Sequence, residues 1–268
     1  MNKLKILLAI TTANQLEYTI RVIDSLKHCQ LKNVEVVIFD DASEDGTVQW
    51  CQKNDIEIHT KDKSKGLTHS WNEAYKKFKY ENYTHLVLAN NDIIVPKNSI
   101  DNLVKTNKQF IISGPLSTEK GVGHQPLQNV RIYHEFEYDE YNFENTQFIQ
   151  DRVSPINDCI KVDYINGFVF SMNRRIIDFE LDDGNLFNPK NINVGNESEL
   201  CQRVGNNIGI ALDSYIFHFK GISFENITSK SLSIEDNIYR ELNWKEAQKM
   251  KKNWLFRMFF LIRRKLSK

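Results

Sequence analysis

The chain has 268 residues, of which 41% are hydrophobic and 26% are charged, a composition typical of globular proteins and unlike that of disordered ones. The 35 basic side chains equal the 35 acidic ones, so the formal net charge is zero and nucleic acid is not expected as the main partner. Four cysteines without a C-x-x-C pair are too few for a disulfide framework, which favours a reducing, cytoplasmic setting.

Strands and helices are predicted to alternate over the first part of the chain. The predicted strands are, in order, Lys5–Thr11, Val34–Phe39, Ile56–Thr60, His85–Ala89 and Phe110–Ser113. The predicted helices cover residues 16–26, Thr47–Lys53 and Leu67–Phe78, and Pro96 is expected in the first turn of a fourth helix. This alternation is typical of an α/β domain in which helices flank a mainly parallel sheet.

The pattern is less regular after Pro115, and residues 115–160 have no clear period. The elements predicted beyond them are a strand over Val162–Met172 with Gly167 inside it, a short helix over Glu197–Val204, and two strands, Ile208–Leu212 and Tyr215–Phe219. Residues 229–268 are predicted to be mainly helical. The sequence contains no internal repeat, so we expect one domain over residues 1–228 and a C-terminal helical appendage over residues 229–268.

Polar residues follow three of the predicted strands. They are Thr11, Thr12 and Asn14, then Asp40 and Asp41, and finally Asn90, Asn91 and Asp92. Ligands of open parallel sheets bind beyond the carboxyl ends of the strands. The sequence has neither the G-x-G-x-x-G nor the G-x-x-x-x-G-K-S/T motif. A carboxylate can nevertheless accept a hydrogen bond from a base imide, and another can hold a divalent cation on a diphosphate, so this edge is a candidate nucleotide site.

Seven short segments form the most specific pattern in the chain: residues 10–14, 40–47, 65–72, 88–92, 166–175, 196–203 and 218–223. In order and spacing they resemble the motifs of the family 2 inverting glycosyltransferases, over roughly residues 4–224. The resemblance implies the GT-A fold and transfer of a sugar from a nucleotide-diphosphate sugar to a saccharide or lipid-linked acceptor. Asn90-Asn91-Asp92, in place of D-x-D, is similar to the rhamnosyltransferase-like subgroup.

The resemblance also implies a role for each matching residue. The residues that would bind the nucleotide sugar are Thr11, Ala13, Asp41, Gly66, Asn90 and Asn91. Asp92 and His218 would hold a divalent cation, Mn²⁺ or Mg²⁺, and Glu197 would be the catalytic base. The family usually has aspartate where this chain has Glu197, and the extra methylene of glutamate shifts the carboxylate. Glu199, which also replaces an aspartate, is therefore the alternative base. Asp41 would suit uridine and deoxythymidine equally.

Two other classes of protein fit parts of the pattern. A sugar-phosphate nucleotidyltransferase shares the α/β layout, but it would need a glycine-rich basic loop after the first strand, where this chain has Thr11-Thr12-Ala13-Asn14. A non-catalytic domain that binds a sugar nucleotide or scaffolds a glycan assembly complex would also explain the unusual Asn-Asn-Asp and Asn-Glu-Ser-Glu segments. Turnover of a donor distinguishes an enzyme from a scaffold.

The C-terminal segment combines basic and apolar residues. Eight lysines and arginines and no acidic residue lie between Lys249 and Lys268, and Leu255, Phe259, Ile262 and Leu266 recur at helical spacing. Such a helix can lie in a membrane interface, with its basic side chains toward anionic headgroups. By analogy with the family, the chain is predicted to assemble surface polysaccharide as a peripheral protein on the cytoplasmic face of the membrane. The alternative is that this stripe packs on the domain.

Overall fold

The computed structural model describes residues 3–117, 136, 140–193 and 195–219. Its strands are β1 (Ile6–Thr12), β2 (Val34–Asp40), β3 (Glu57–His59), β4 (His85–Asn90), β5 (Ile93–Ile94), β6 (Ile112–Leu116), β7 (Cys159–Lys161), β8 (Val169–Asn173), β9 (Ile208–Tyr215) and β10 (Phe217–His218). Its helices are α1 (Leu16–Lys27), α2 (Thr47–Lys53), α3 (Leu67–Tyr80), α4 (Ser99–Thr106), α5 (Phe143–Val153) and α6 (Asn196–Val204).

Among the described residues, eight strands form one sheet in the order β3-β2-β1-β4-β8-β6-β9-β7. The neighbours from β3 to β4 are all parallel, and so are β6 and β9. Strand β8 runs antiparallel to both β4 and β6, and β7 is antiparallel to β9. The sheet is therefore mainly parallel with helices on its faces, as the sequence predicts.

Two apolar layers cover the faces of the sheet. In β1, Leu7 and Ala9 contact the layer that contains Trp71 and Phe78 of α3, because successive side chains of a strand point to opposite faces. Ile6, Leu8 and Ile10 contact the other layer, which includes Val22, Ile23 and Leu26 of α1. All seven residues of β1 are buried, which explains why this strand is a continuous apolar run in the sequence.

Strand pairing determines which segments meet beyond the end of β4. Ala89 pairs with Val169, so the residues that precede the antiparallel strand β8 lie beside those that follow β4. A second, two-stranded sheet pairs β5 with β10, with Ile93 opposite His218. Chain segments that are far apart in sequence therefore meet at the carboxyl edge of the parallel sheet, where ligands bind in open α/β sheets.

The predictions for residues 162–219 need two corrections. Val162–Met172 is not one strand: the strand is Val169–Asn173, and Gly167 precedes it. Two strands are present where Ile208–Leu212 and Tyr215–Phe219 were predicted, but the boundary differs: β9 continues through Asp213 and Ser214 to Tyr215, and β10 is Phe217–His218. Both of these polar residues are buried. The backbone carbonyl of Asp213 accepts from the side chains of Asn102 and Gln150, and the hydroxyl of Ser214 donates to the carbonyl of Ser99, so the strand need not end there.

Two helices also differ from the predictions. Pro96 does not lie in the first turn of α4, which begins at Ser99 after Asn98 adopts a left-handed backbone conformation. Helix α5, within a region without a clear period, was not predicted. Two of its buried positions are occupied by the polar residues Thr146 and Gln150, so the sequence lacks the regular spacing of apolar residues that predicts a helix. The side-chain amide of Gln150 donates to the carbonyl of Asp213 in β9, and its side-chain oxygen accepts from the N–H of Tyr215.

The predicted C-terminal helix over residues 229–268 and the domain boundary at residue 228 lie outside the described residues. Within the described ranges, no helix is long and apolar enough to cross a bilayer.

Candidate active site

Asp92 and His218, predicted to hold a metal, lie together beyond β4. The antiparallel pairing of β5 with β10 brings them together, and Oδ1 of Asp92 is 3.3 Å from Nε2 of His218. Asp92 is only 1% exposed, and its Oδ1 has no hydrogen-bond donor among the described residues. A buried carboxylate oxygen without a donor is costly unless a cation or proton compensates for it. The pair therefore fits a divalent cation that accepts oxygen and nitrogen ligands.

Glu197 lies in the first turn of α6, against the loop that precedes β8. Its Oε1 accepts a hydrogen bond from the hydroxyl of Tyr164 at 2.8 Å. A Cβ atom at Gly167 would lie 3.3 Å from Oε2 of Glu197 and 3.1 Å from the ring of Trp71. These distances are tighter than most such contacts, so the absence of a side chain at Gly167 makes room for the carboxylate.

Gly167 and its neighbour Phe168 lie between the carboxylate of Glu197 and the predicted metal ligands, Asp92 and His218. Glu197 packs on Gly167, while the ring of Phe168 stacks on that of His218 with centroids 4.8 Å apart. The carbonyl of Phe168 also accepts a hydrogen bond from the N–H of Asn90 at 2.8 Å. The predicted base, the predicted metal ligands and the end of β4 therefore belong to one site.

The alternative base, Glu199, has a different environment. Its two carboxylate oxygens accept hydrogen bonds from Nε and Nη2 of Arg203, at 2.7 and 3.0 Å. Arg203 also donates to the carbonyls of Phe179 and Leu186, so this ion pair ties α6 to the preceding segment. Glu199 therefore has a structural contact of its own, whereas a neutral hydroxyl and a glycine surround the carboxylate of Glu197.

Asp41, predicted to bind the base imide, holds the loop before α3. Its Oδ1 accepts from Nζ of Lys61 at 2.9 Å and from the N–H of Lys65 at 2.8 Å. Its Oδ2 accepts from the hydroxyl of Ser64 at 2.6 Å and from the N–H of Gly66 at 2.8 Å. Burial raises the pKa of Asp41, but the hydrogen bonds from Ser64 and Lys61 outweigh this effect and hold it below its ordinary value.

Four donors occupy the acceptor positions that two carboxylate oxygens offer. A base imide can therefore bind Asp41 only if it replaces one of them. The two backbone N–H groups are fixed by the start of α3, so the side chains of Ser64 and Lys61 are the donors that can move away.

Gly66, also predicted to bind the nucleotide sugar, lies between Asp41 and the segment before α6. A Cβ atom there would lie 2.4 Å from the side chain of Ile192, and Gly66 has a positive φ of 86° that favours glycine. The side chain of Asn193 accepts from the N–H of Leu67 at 3.0 Å and so satisfies a backbone donor in the first turn of α3. Gly66 therefore lets α3 pack closely on the segment that leads to Glu197.

The remaining predicted donor-binding residues surround the end of β1. Asn91 is buried, and its side-chain amide donates to the hydroxyls of Thr12 and Thr19, at 3.0 and 3.1 Å. Thr11 donates to the carbonyl of Ala89 at 3.2 Å. The Asn91 amide and the Thr11 hydroxyl are therefore bound within the protein, while Ala13 and Asn90 are half-buried at the edge. The structure brings all of them to this edge, but their roles in donor binding stay predictions.

Comparison with known families identifies the chain. The model of the family described as "Glycosyl transferase family 2" matches residues 8–176, well over half of the sequence. The chain belongs to glycosyl transferase family 2. This match confirms the resemblance in the motifs, although the rhamnosyltransferase-like subgroup stays a prediction. A search of curated proteins finds no match to this chain.

Solved structures of GT-A glycosyltransferases are similar to this family 2 chain. A complex of GalNAc-T7 with UDP, GalNAc and Mn²⁺ has a TM-score of 0.56 at 14% identity, covering 81% of this chain and 44% of that one. The mannosyltransferase PcManGT from Pyrobaculum calidifontis, with GDP-Man and Mn²⁺, scores 0.56 at 12% identity, covering 90% and 69%. TarS from S. aureus with UDP-GlcNAc scores 0.52 at 17% identity, covering 86% and 62%. The chain thus spans less than two thirds of the length of two of these proteins.

Two residues of this site were not predicted as functional. Tyr164 was assigned to a strand, and Lys61 follows β3 in a region of ordinary loop composition. Lys61 is a largely buried lysine that forms an ion pair with Asp41 and also donates to the hydroxyl of Ser70. Neither residue belongs to a recurrent pattern, and only the folded chain brings each of them to its carboxylate.

Proposed function

We propose that this family 2 domain is an inverting glycosyltransferase that moves a sugar from a nucleotide-diphosphate sugar to a hydroxyl acceptor. The observation that carries the proposal is the contact of Gly167 and Phe168 with Glu197 on one side and His218 on the other. A base for the acceptor and a cation site for the leaving diphosphate are thereby close together at the carboxyl edge of the sheet.

The reaction is a single in-line displacement. The acceptor oxygen forms a bond to the anomeric carbon as the bond from that carbon to the diphosphate oxygen breaks, and the electrons of that bond leave with the diphosphate. Glu197 takes the proton of the acceptor hydroxyl, a role that its carboxylate can fulfil because no cation neutralises it in the described structure. Glu199 is less suited to this role because Arg203 occupies both of its oxygens.

Asp92 and His218 would hold the divalent cation, Mn²⁺ or Mg²⁺. A cation bound there supplies positive charge that offsets the charge growing on the leaving diphosphate. In the described part of the chain, no group of three or more histidine, cysteine, aspartate or glutamate side chains is placed to bind a metal. We therefore expect donor oxygens and water to complete its coordination.

Release of nucleoside diphosphate from a panel of donors tests the proposal. The panel comprises UDP-GlcNAc, UDP-glucose, GDP-mannose and dTDP-rhamnose, each incubated with Mn²⁺ and with simple glycosides as acceptors. We expect one donor to be consumed, with transfer to a glycoside or, more slowly, to water. Tight binding of a donor without any turnover would instead favour a non-catalytic sugar-nucleotide-binding or scaffold protein.

Replacement of Asp41 by asparagine tests the proposed contact with the base imide. The asparagine amide offers one carbonyl acceptor in place of a carboxylate and leaves Lys61 without its ion-pair partner, so we expect donor affinity to fall about tenfold or more. Ser64→Ala removes one competing donor and should leave affinity unchanged or improve it. Isothermal titration with the preferred nucleoside diphosphate measures both effects. If Asp41→Asn binds with the affinity of the unsubstituted chain, the base does not contact Asp41.

The proposed acceptor rests on analogy with the family, and the proposed location rests on the C-terminal sequence. We propose that the acceptor is a saccharide or a lipid-linked glycan of surface polysaccharide assembly, and that residues 250–268 attach the protein to the cytoplasmic face of the membrane. The full chain is then expected to sediment with liposomes rich in anionic phospholipid, less with neutral ones, and less again at high salt. Triple replacement of Arg257, Arg263 and Arg264 by alanine should reduce sedimentation. Equal recovery with both lipid compositions would refute this attachment.

A further inference from the structure

Tyr164 contacts the proposed base directly, although it does not belong to any predicted site. It lies in the loop before β8, and its hydroxyl donates to Oε1 of Glu197 at 2.8 Å. The two residues are 33 positions apart in the sequence, so the contact depends on packing of that loop against α6. Among the described residues, the hydroxyl of Tyr164 is the one group that donates a hydrogen bond to the side chain of Glu197.

The other oxygen of the carboxylate has a different neighbour. Oε2 of Glu197 lies over Gly167, where a Cβ atom would approach it to 3.3 Å. Gly167 has no side-chain donor, and the described residues show no hydrogen bond to Oε2, so this oxygen can accept from an incoming group. The hydrogen bond at Oε1 and the close contact at Oε2 together restrict rotation of the carboxylate.

We propose that Tyr164 is a positioning residue that holds Oε1 of Glu197 so that Oε2 receives the proton of the acceptor hydroxyl. The inference rests on the proposed role of Glu197. In the transfer step the O–H bond of the acceptor breaks and its proton forms a bond to Oε2, while Tyr164 keeps its own proton throughout. Catalysis by a general base depends on geometry first, because the base must lie within hydrogen-bond reach of the proton that it takes.

The charges around Glu197 are consistent with this role. Burial, followed by the negative charge of Glu197, raises the pKa of Tyr164 well above its ordinary value, so its phenol stays a donor at every working pH. The other titratable neighbour is Cys201 on α6, and burial raises the pKa of its thiol to about 12, which keeps it neutral. Glu199 on the same helix is paired with Arg203.

The contact also explains how glutamate serves at a position where the family usually has aspartate. The side chain of glutamate is longer by one methylene, which lets its carboxylate reach Tyr164 while it packs on Gly167. Glu197→Asp would draw the carboxylate back by about 1.5 Å, the length of one carbon–carbon bond, and so break the hydrogen bond to Tyr164.

The test is a double-mutant cycle between Tyr164→Phe and Glu197→Asp. The readout is turnover of the preferred donor with water or a glycoside as acceptor. Tyr164→Phe removes only the hydroxyl and is expected to lower kcat about tenfold, the effect of losing one hydrogen bond to a charged group, with donor KM unchanged. In the Glu197→Asp background, Tyr164→Phe should have no further effect.

Tyr75→Phe is the matched control, because it also removes a phenol that donates to a carboxylate. Tyr75 lies on α3 and donates to Glu180, not to Glu197, at 2.6 Å. This variant should retain the kcat and the donor KM of the unsubstituted chain. Two results would overturn the positioning role of Tyr164 but leave the proposed function standing. One is a native kcat for Tyr164→Phe when Glu197→Gln is inactive. The other is an equal effect of Tyr164→Phe in the unsubstituted chain and in Glu197→Asp. Full activity of Glu197→Gln, or no turnover by the unsubstituted chain, would overturn the proposed function and this inference with it.

Discussion

Replacement of Glu197 by glutamine is expected to lower kcat by roughly 10²–10⁴-fold, the usual contribution of a general base, while donor affinity stays unchanged. Glutamine has nearly the same shape, so it can still accept from Tyr164 and pack on Gly167, but it cannot take a proton. The measurement is steady-state turnover of the preferred donor, together with titration of that donor to confirm that binding is intact.

Glu199→Gln is the matched control on the same helix. It weakens a half-buried ion pair with Arg203, so we expect a loss of about 1 kcal/mol or less in the free energy of unfolding and near-native turnover. If Glu199→Gln abolished turnover while Glu197→Gln remained active, the catalytic role would belong to the other carboxylate. Thermal unfolding of both variants separates an effect on catalysis from an effect on the fold.

Replacement of Asp92 by asparagine is expected to have the second large effect. The variant keeps a polar side chain of the same size but loses the negative charge next to His218. A cation at the leaving diphosphate contributes several kcal/mol to the transition state, so kcat/KM should fall roughly 100-fold or more. Chelation of divalent cations should depress the activity of the unsubstituted chain in the same way, and Mn²⁺ or Mg²⁺ should restore it.

Binding of the cation can be measured without turnover. Titration of Mn²⁺ into the complex with nucleoside diphosphate should give clearly weaker binding for Asp92→Asn than for the unsubstituted chain. Asp24→Asn is the control, because the ion pair of Asp24 with Lys27 lies on the exposed side of α1. Full activity in the presence of chelator, or an unaffected Asp92→Asn protein, would show that the reaction does not depend on this pair.

Much of the fold is predictable because the central strands are locally distinct. The runs in β1, β2 and β4 are mainly apolar, and each ends in a polar residue at the carboxyl edge of the sheet. Helices α1 and α3 have apolar residues at regular helical spacing, facing the two core layers. The order of these elements is sufficient to predict the parallel part of the sheet and its ligand-binding edge.

Predictions fail where long-range contacts override local patterns. Helix α5 has buried polar residues that a search for apolar spacing does not detect, because β9 supplies their hydrogen-bond partners. Gly167 resembles a strand residue in the sequence, but it lies in the loop before β8, against Glu197 of α6. The four donors on Asp41 come from a loop that begins 20 residues later. In each case the deciding partner is distant in sequence.

Asp92 and His218 show how a motif gains support from topology. In the sequence, His218 is one histidine among seven, and no fixed spacing connects it to Asp92. The pairing of Ile93 with His218 then brings its ring to the buried carboxylate. The family resemblance indicated the pair, and the two-stranded sheet supplies the physical reason why these two residues meet.

The most direct test of the proposed function is the anomeric configuration of the transferred sugar. Proton NMR of the first product, recorded before any free sugar mutarotates, distinguishes the two anomers by their coupling constants and chemical shifts. A single displacement assisted by Glu197 predicts a product whose configuration is opposite to that of the donor. A product that retains the donor configuration would contradict the proposed mechanism, and the absence of any product with the complete donor panel would contradict glycosyl transfer by this chain.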